Sequence, residues 1–273
     1  IKNFNFMEKI IILLKNLKRL GAVAVKQSLE DEGASFEDVK KMRQITQSAK
    51  LALNVKIGGC EAKNDIFFCQ KTKIDSVVAP MVESQYALNK FIQIIPKKNK
   101  SFLYINLESK TAFRNINYII RSPQFKKLKG VVIGRSDLAG SMGLKKKDVN
   151  SKKIFKDVVS ILKKIKRKNK KLICKMGGSI TVKSKNFINI LFQKNLLDRF
   201  ETRNVEIKIN DKTLKNFDNL IFEIFNFELE WLKYKLNNPN LKRHKSKYVL
   251  KDYSARIQEI KDRVMLMKNT SIL

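Results

Sequence analysis

Charged side chains follow the apolar segments of this chain at a few defined places. The stretch VVIGRSDLAGSMG (131–143) has Arg135 and Asp137 directly after an apolar run, and Glu108 follows another apolar run in the same way. A charge beside a buried segment costs free energy unless it has a partner. Each carboxylate therefore either caps the helix that follows it or helps to hold a cation.

The elements that must position these residues are strands and helices in alternation. Several of the strand-like runs are apolar on both faces, as are the strands of a parallel sheet that is covered by helices. The predicted strands are 21–26, 53–57, 75–81, 102–107, 130–134, 171–176 and 203–209. Short connections and a helix after each strand favour an α/β fold, specifically a TIM-type (β/α)8 barrel, over the alternative of an open doubly wound sheet. Because seven strands can be counted and 1–20 is helix-like, we expect the first barrel strand to be missing, short or irregular.

Two further helices are predicted at the C-terminal end. The helix over 213–236 is rich in aromatic residues and is followed by Pro239, and a second helix over 248–267 has an apolar face. We therefore expect a barrel domain over 1–238 and a helical extension over 239–273. Large apolar faces normally meet a partner surface, so we expect a homo-oligomer, a trimer or a hexamer, in which the segment after Pro239 crosses to a neighbour. In the alternative, both helices pack on their own barrel.

The composition limits the partners and the compartment. The formal net charge of +33 first suggests nucleic acid or anionic lipid. However, only 11 of the 58 basic residues are arginine, and lysine excess without a nucleic-acid-binding module is typical of a solvated surface. We expect neither a nucleic-acid nor a membrane partner, and the apolar run 10–14 is too short to span a bilayer. Cys60, Cys69 and Cys174 form no C-x-x-C pair, which fits a reducing, cytoplasmic location.

In a parallel barrel, functional groups lie at the C-terminal ends of the strands. Glu108 and Asp137 end neighbouring predicted strands, so their carboxylates could converge on one hard cation, and two carboxylates with waters and a substrate oxygen are typical of Mg²⁺. His244 is the one histidine and lies outside the strand ends, which excludes His-dependent triads and His-rich zinc sites. The chain also contains no G-x-S-x-G, G-x-G-x-x-G or P-loop motif. Its chemistry must then come from carboxylates, lysine or arginine, together with a metal.

Several of these segments resemble a known family. INLE (105–108) and VIGRSDL (132–138) resemble segments of the HpcH/HpaI-type aldolases and citrate lyase β-subunits, which are pyruvate/phosphoenolpyruvate-binding barrels. LED (29–31), KIGG (56–59) and VAPMVE (78–83) extend the resemblance in chain order over about residues 21–203.

The resemblance implies a role for each matching residue. It implies that Glu108 and Asp137 bind Mg²⁺ or Mn²⁺ and that Lys56 replaces the family's substrate-binding arginine. It also implies that the backbone of the next segment lines the substrate pocket, at Gly134, Arg135 and Ser136. The implied activity is that of a metal-dependent carbon–carbon lyase or aldolase acting on a small 2-oxo acid, 3-hydroxy acid or acyl-CoA thioester.

Two departures from the family pattern affect this expectation. The aldolase branch has a histidine base after the strand that here ends near Glu32, and this chain has none there. The difference favours lyase-like chemistry in which Glu32 or Asp31 moves the proton, or a relative that has lost catalysis. Lys56 cannot form the bidentate fork that arginine forms with a carboxylate. The alternative function is a non-catalytic barrel that serves as a binding or scaffold subunit with a basic surface.

Overall fold

The computed structural model describes residues 2–30, 32–243 and 245–269, and for residues 2–5 the backbone alone. Eight strands close into a barrel in chain order, which confirms the TIM-type architecture and rules out an open sheet. The strands are β1 (Ala22–Ser28), β2 (Ala52–Lys56), β3 (Ser76–Ala79), β4 (Phe102–Leu107), β5 (Gly130–Gly134), β6 (Ile173–Gly177), β7 (Arg199–Glu201) and β8 (Val205–Lys208).

The barrel is not wholly parallel. Strands β1 to β7 run in the same direction, whereas β8 is antiparallel to both β7 and β1. Residues 202–204 join β7 to β8 as a hairpin, so the expected helix after every strand is wrong at this point. The strand that the sequence prediction lacks is β7, whose three residues include two charges. β1 is a full strand with a register shift between Ala22 and Ala24 where it meets β8.

Helices surround the barrel, and several begin at a side-chain cap. Ser35 and Asp38 form a capping box at the start of the second helix, and Ser151 caps the strongly amphipathic helix that follows β5. The helices are α1 (Lys2–Arg19), α2 (Phe36–Ala49), α3 (Lys63–Lys71), α4 (Gln85–Gln93), α5 (Lys110–Arg114), α6 (Ile116–Arg121), α7 (Arg135–Ser141), α8 (Lys152–Lys168), α9 (Lys185–Gln193), α10 (Asp211–Lys215), α11 (Phe217–Asn237), α12 (Pro239–Lys242) and α13 (Lys247–Asn269).

The two C-terminal helices pack against each other in the single chain. α13 lies on α11 of the same barrel and buries Tyr253, Arg256, Ile260 and Met267. This is the arrangement without exchange between subunits, and the predicted crossing to a neighbour stays a prediction. Among the described residues, no helix has the length and apolar character needed to cross a membrane.

Candidate active site

A cavity of about 230 Å³ lies at the C-terminal ends of the parallel strands. Side chains from six strands or the loops after them reach it, and α11 and α13 close one side. Its charged lining residues are Lys26, Glu32, Lys56, Glu108, Asp137, Lys146, Glu201, Arg203, Glu228, Arg256, Glu259 and Arg263. The volume is below the roughly 300–1,000 Å³ of sites for drug-sized ligands. The cavity therefore suits a small, charged molecule.

Glu108 lies at the end of β4, almost fully buried. Its Oε1 accepts a hydrogen bond from the Met81 N–H (3.1 Å), and its Oε2 accepts one from the Asn106 amide (2.9 Å). It does not cap the next helix, because Ser109 does so. Burial raises the pKa of Glu108; the Lys56 charge opposes this, and the negative charge of Asp137 adds to it.

Asp137 lies in the first turn of α7, directly after β5, and lines the cavity beside Glu108. The residue before this helix, Gly134, provides no side-chain cap, and Asp137 provides none either. A Cβ at Gly134 would lie 2.5 Å from Oε2 of Glu108. The glycine thus leaves space beside that carboxylate oxygen.

Lys56 and Glu32 are the other predicted chemical residues that the structure brings to this cavity. Lys56 is the last residue of β2, buried, and close enough to Glu108 to lower its pKa. Glu32, also buried, accepts a hydrogen bond from the Asn204 side chain (3.2 Å). Asp31, the alternative proton-transfer residue, lies outside the described residues.

The segment predicted to line the substrate pocket divides between two environments. Gly134 and Ser136 line the cavity, and the Ser136 hydroxyl is 2.9 Å from that of Ser179. The Arg135 side chain instead points into the protein. It is fully buried and donates to the carbonyls of Gly177 (3.2 Å) and Gly178 (2.8 Å), so it joins the ends of β5 and β6.

A second carboxylate in the cavity has the opposite electrostatic environment. Glu201, on β7, accepts a hydrogen bond from Lys26 Nζ at 2.8 Å. Burial alone would raise the pKa of Glu201, but the charges of Lys26, Lys175 and Lys56 outweigh it and hold this pKa below its ordinary value. The ionised form of Glu201 is therefore favoured by neighbouring cations, whereas burial and Asp137 disfavour the ionised form of Glu108.

The donor set at Glu108 and Asp137 fits a divalent cation. Two carboxylate side chains share the cavity, and the buried Oδ1 of Asn106 beside them has no hydrogen-bond partner. Within the part of the chain that the structure describes, no cluster of three or more His, Cys, Asp or Glu side chains could hold a metal. Hard cations such as Mg²⁺ are commonly bound through one or two carboxylates, with waters and substrate oxygens completing the shell.

Sequence reasoning missed the side of the cavity formed by the C-terminal helices. The helix over 248–267 was predicted to have an apolar face, but the buried positions of α13 are Tyr253, Arg256, Ile260 and Met267, so this face includes a charged residue. The spacing of Arg256, Ile260 and Arg263 was a usable signal, because positions four and then three apart share one helix face. Lys26 was missed because a single lysine within a strand is also compatible with a solvent-facing position.

A closed barrel with a charged cavity at its C-terminal strand ends is the architecture of the α/β-barrel enzymes. The HpcH/HpaI aldolase/citrate lyase family model matches residues 35–176, just over half of the chain, and the chain belongs to this family. Members of the family typically depend on a divalent metal. A search of curated protein sequences found no match.

Solved structures at 10–12% sequence identity share the fold. An HpcH/HpaI aldolase from Desulfitobacterium hafniense DCB-2 superposes with a TM-score of 0.59 at 10% identity, over 70% of this chain and 81% of the other. The citrate synthase SbnG gives 0.58 at 11% identity, over 70% and 81%. An HpcH/HpaI aldolase/citrate lyase family protein from Burkholderia cenocepacia J2315 gives 0.56 at 12% identity, over 66% and 80%.

Proposed function

We propose that this protein is a divalent-metal-dependent carbon–carbon lyase or aldolase that cleaves or forms a bond next to the carbonyl of a small acid. The substrate would be a 2-oxo acid, a 3-hydroxy acid or the acyl end of an acyl-CoA thioester. The observation that carries the proposal is the pair of carboxylates, Glu108 and Asp137, that line one small cavity together with Lys56.

In this proposal Glu108 and Asp137 hold Mg²⁺ or Mn²⁺. The bound cation supplies Lewis-acid stabilisation for the negative charge that develops on the substrate oxygens. Lys56 places a positive charge beside the same oxygens and, as an ammonium, binds a carboxylate without the two-point geometry of arginine. The backbone of Gly134 and the hydroxyl of Ser136 border the substrate.

Proton transfer in this proposal belongs to the carboxylates after β1. The chain has no histidine there, and Glu32 is the described carboxylate from this segment that lines the cavity. The Asn204 amide that donates to Glu32 holds the orientation of this carboxylate, and a positioned carboxylate can act as a general base. Asp31 is the second candidate for this role.

Calorimetric titration with Mn²⁺ and Mg²⁺ tests the metal site. We expect Asp137→Asn to bind each metal ion at least tenfold more weakly than the wild type does. The matched control is Asp211→Asn: Asp211 follows β8, which runs against its neighbours, so this carboxylate lies at the end of the barrel away from the cavity. Unchanged affinity in Asp137→Asn would place the metal elsewhere, and metal-dependent cleavage of small oxo acids would establish the activity.

Assembly into a homo-oligomer remains part of the proposal. Met265 and Leu266 on α13 are about two-thirds exposed in the single chain, and apolar surface of this kind favours a partner. Light scattering on the wild type and on a chain ended at Asn238 tests it, with a trimer or hexamer expected for the wild type only. A monomeric wild type would contradict the expectation.

A further inference from the structure

The end of the barrel opposite the cavity carries a concentrated positive charge. Three connections there lead from a helix into β4, β5 and β6, over residues 94–101, 122–129 and 169–172. Together with the last turn of α8, these connections contain no acidic residue. They expose ten cations to solvent, which we call the basic face: Lys97, Lys98, Lys100, Lys126, Lys127, Lys129, Arg167, Lys168, Lys170 and Lys171.

The strand topology makes the basic face continuous. β4, β5 and β6 are parallel neighbours, so their first residues lie at the same edge of the barrel. The N–H of Lys129 donates to the Leu103 carbonyl (2.8 Å), and the Lys129 carbonyl accepts from the Ile173 N–H (3.1 Å). The three connections therefore enter the barrel side by side, and their ten charges share one surface.

Two acidic residues flank the basic face, and both already have partners. Asp75, directly before β3, forms an ion pair with Arg43 (2.5 Å). Asp198, directly before β7, forms one with Lys166 (2.7 Å). At the cavity end, by contrast, an acidic residue follows each of the strands β1 to β5, namely Glu30, Glu61, Glu83, Glu108 and Asp137. The excess of lysine in the composition is therefore unevenly placed on the folded protein.

The charge density of the basic face is similar to that of a nucleic-acid backbone. Neighbouring helices pack about 8–10 Å apart, so three neighbouring connections span about 20 Å. Double-stranded DNA carries one phosphate charge per about 1.7 Å of its axis, or about 12 charges over that length. Like charges crowded on one surface repel each other, and a polyanion of matching density removes that repulsion.

The exposed apolar area of the basic face is small, which makes a lipid bilayer the less suitable partner. Proteins that lie in a membrane interface insert exposed Trp, Phe or Leu side chains. In the three connections and the strand residues that follow them, Phe102 is the one large apolar side chain that is exposed. The Lys129 ammonium lies over its ring, 5.0 Å from the centre. A single ring covered by a lysine provides little area for insertion.

We propose that the basic face binds the phosphate backbone of a nucleic acid without reading its base sequence. Nine of its ten cations are lysines, which act as point charges and lack the planar fork of arginine. Contacts to phosphates position a protein but carry no sequence information. Strands of five or six residues separate this face from the cavity by about 17–20 Å. The binding is therefore a second function, which does not rest on the proposed carbon–carbon chemistry.

Fluorescence anisotropy with the full chain tests this inference, using a labelled 20-nucleotide RNA strand and a labelled 20-base-pair DNA duplex. We expect the wild type to bind one or both, with an affinity that falls about a thousandfold between 50 and 200 mM KCl, which corresponds to about six phosphate contacts. The variant Lys98→Gln/Lys127→Gln/Lys170→Gln removes one exposed cation from each connection. It should bind at least tenfold more weakly, and the slope of log affinity against log salt should fall by about three.

A second triple variant is the matched control. Lys63→Gln/Lys110→Gln/Lys153→Gln removes three exposed lysines at the starts of α3, α5 and α8, which follow strands and so lie at the cavity end. Its net charge equals that of the first variant. It should bind both nucleic acids as the wild type does, and both variants should keep the wild-type melting temperature, because exposed lysines contribute little to folding.

Three results would overturn the inference. If the control variant weakens binding as much as the first variant does, the attraction is to the net charge and not to the basic face. If the wild type binds neither nucleic acid at 50 mM KCl, this face is not a nucleic-acid surface. If it binds neither but sediments with vesicles that contain phosphatidylserine, and the first variant does not, the partner is a membrane.

Discussion

Two buried glutamates inside the same barrel, Glu206 and Glu108, have contrasting surroundings. Glu206 on β8 accepts hydrogen bonds from Lys175 Nζ (2.6 Å), Arg199 Nη1 (2.6 Å) and the Asn54 amide (2.5 Å). Glu108 accepts bonds from two neutral amide groups, and although the Lys56 charge opposes it, burial together with the nearby Asp137 carboxylate keeps the pKa of Glu108 raised. Both side chains are almost inaccessible to solvent.

Glu206 is therefore a charge that stabilises the fold, whereas Glu108 is a charge that can bind a cation. A buried carboxylate with two cations and an amide has its hydrogen-bonding capacity filled from within the chain, so removing it leaves the cations uncompensated. A buried carboxylate beside a second carboxylate is destabilised until a cation arrives. The barrel thus uses complete ion pairing at β6 and β8 and incomplete pairing at the ends of β4 and β5.

The largest expected effect on stability comes from removing the charge of Glu206, and removal of the charge of Glu108 is the comparison. Glu206→Gln should lower the free energy of unfolding by about 3–5 kcal/mol, because Lys175 would stay buried without its counter-charge and the half-buried Arg199 would lose its partner. Glu108→Gln should change it by less than about 1 kcal/mol, because the amide oxygen keeps one of the two accepted hydrogen bonds and the substitution removes an unfavourable buried charge. Urea unfolding at pH 7 with a metal chelator measures both. Equal losses in the two variants would remove the distinction.

The lysines beside the two glutamates extend the comparison. Lys175 is fully buried, bonds Glu206 and lies 3.6 Å from the centre of the Tyr104 ring. Lys175→Met should cost about 3 kcal/mol, the lower end of the range for a broken buried pair, because Arg199 remains with Glu206. Lys56→Met should leave the melting temperature nearly unchanged and abolish oxo-acid binding or turnover. A large loss of stability with binding retained would contradict the role of Lys56.

The comparison also shows what could be predicted from sequence. Glu108 and Asp137 were recognisable because they directly follow apolar runs, and the barrel was recognisable from the alternation of strands and helices. Lys175 and Glu206 each lie inside a strand, where a charged residue in an alternating pattern usually faces solvent. Their burial depends on which strands become neighbours, and β7, the strand between them, is too short to show a pattern. The same limit hid Arg256, whose helix could have covered any part of the barrel.

The pH dependence of metal binding should be steeper than that of folding. Burial holds the pKa of Glu108 above its ordinary value, and a cation binds the ionised form, so protons compete with the metal. We expect the Mn²⁺ affinity to fall by up to about tenfold for each pH unit below the raised pKa. Without metal, the pH dependence of folding stability has the opposite sign to that of metal affinity. The protonated form is favoured in the folded state, so the contribution of Glu108 to stability is full at low pH and is lost as the pH rises through that pKa.

Unfolding curves of the wild type and of Glu108→Gln, each measured with and without Mn²⁺, check this sign. Relative to the wild type without metal, Glu108→Gln should gain stability between pH 4 and pH 7, and Mn²⁺ should cancel the gain by stabilising the wild type alone. A stability difference that does not change with pH would mean that the charge of Glu108 is already balanced within the chain.

The smallest expected effect comes from a single methyl group beside Glu108. A Cβ at Gly134 would lie 2.5 Å from Oε2 and 2.8 Å from Cβ of Glu108, so Gly134→Ala must displace this side chain. Overpacking of this kind costs about 1–3 kcal/mol. We expect that loss in urea unfolding, together with a loss of Mn²⁺ affinity, because the carboxylate can no longer occupy the space beside β5.

A second glycine on the same segment provides the matched control. Gly140 lies within α7, and a Cβ there would meet nothing within 4 Å. Gly140→Ala should therefore stabilise the protein by up to about 1 kcal/mol through helix propensity alone and leave metal affinity unchanged. Both variants add a methyl group to the same segment, and only the one at Gly134 contacts Glu108. If Gly134→Ala binds Mn²⁺ as tightly as Gly140→Ala, the position of the Glu108 carboxylate is not what the metal requires.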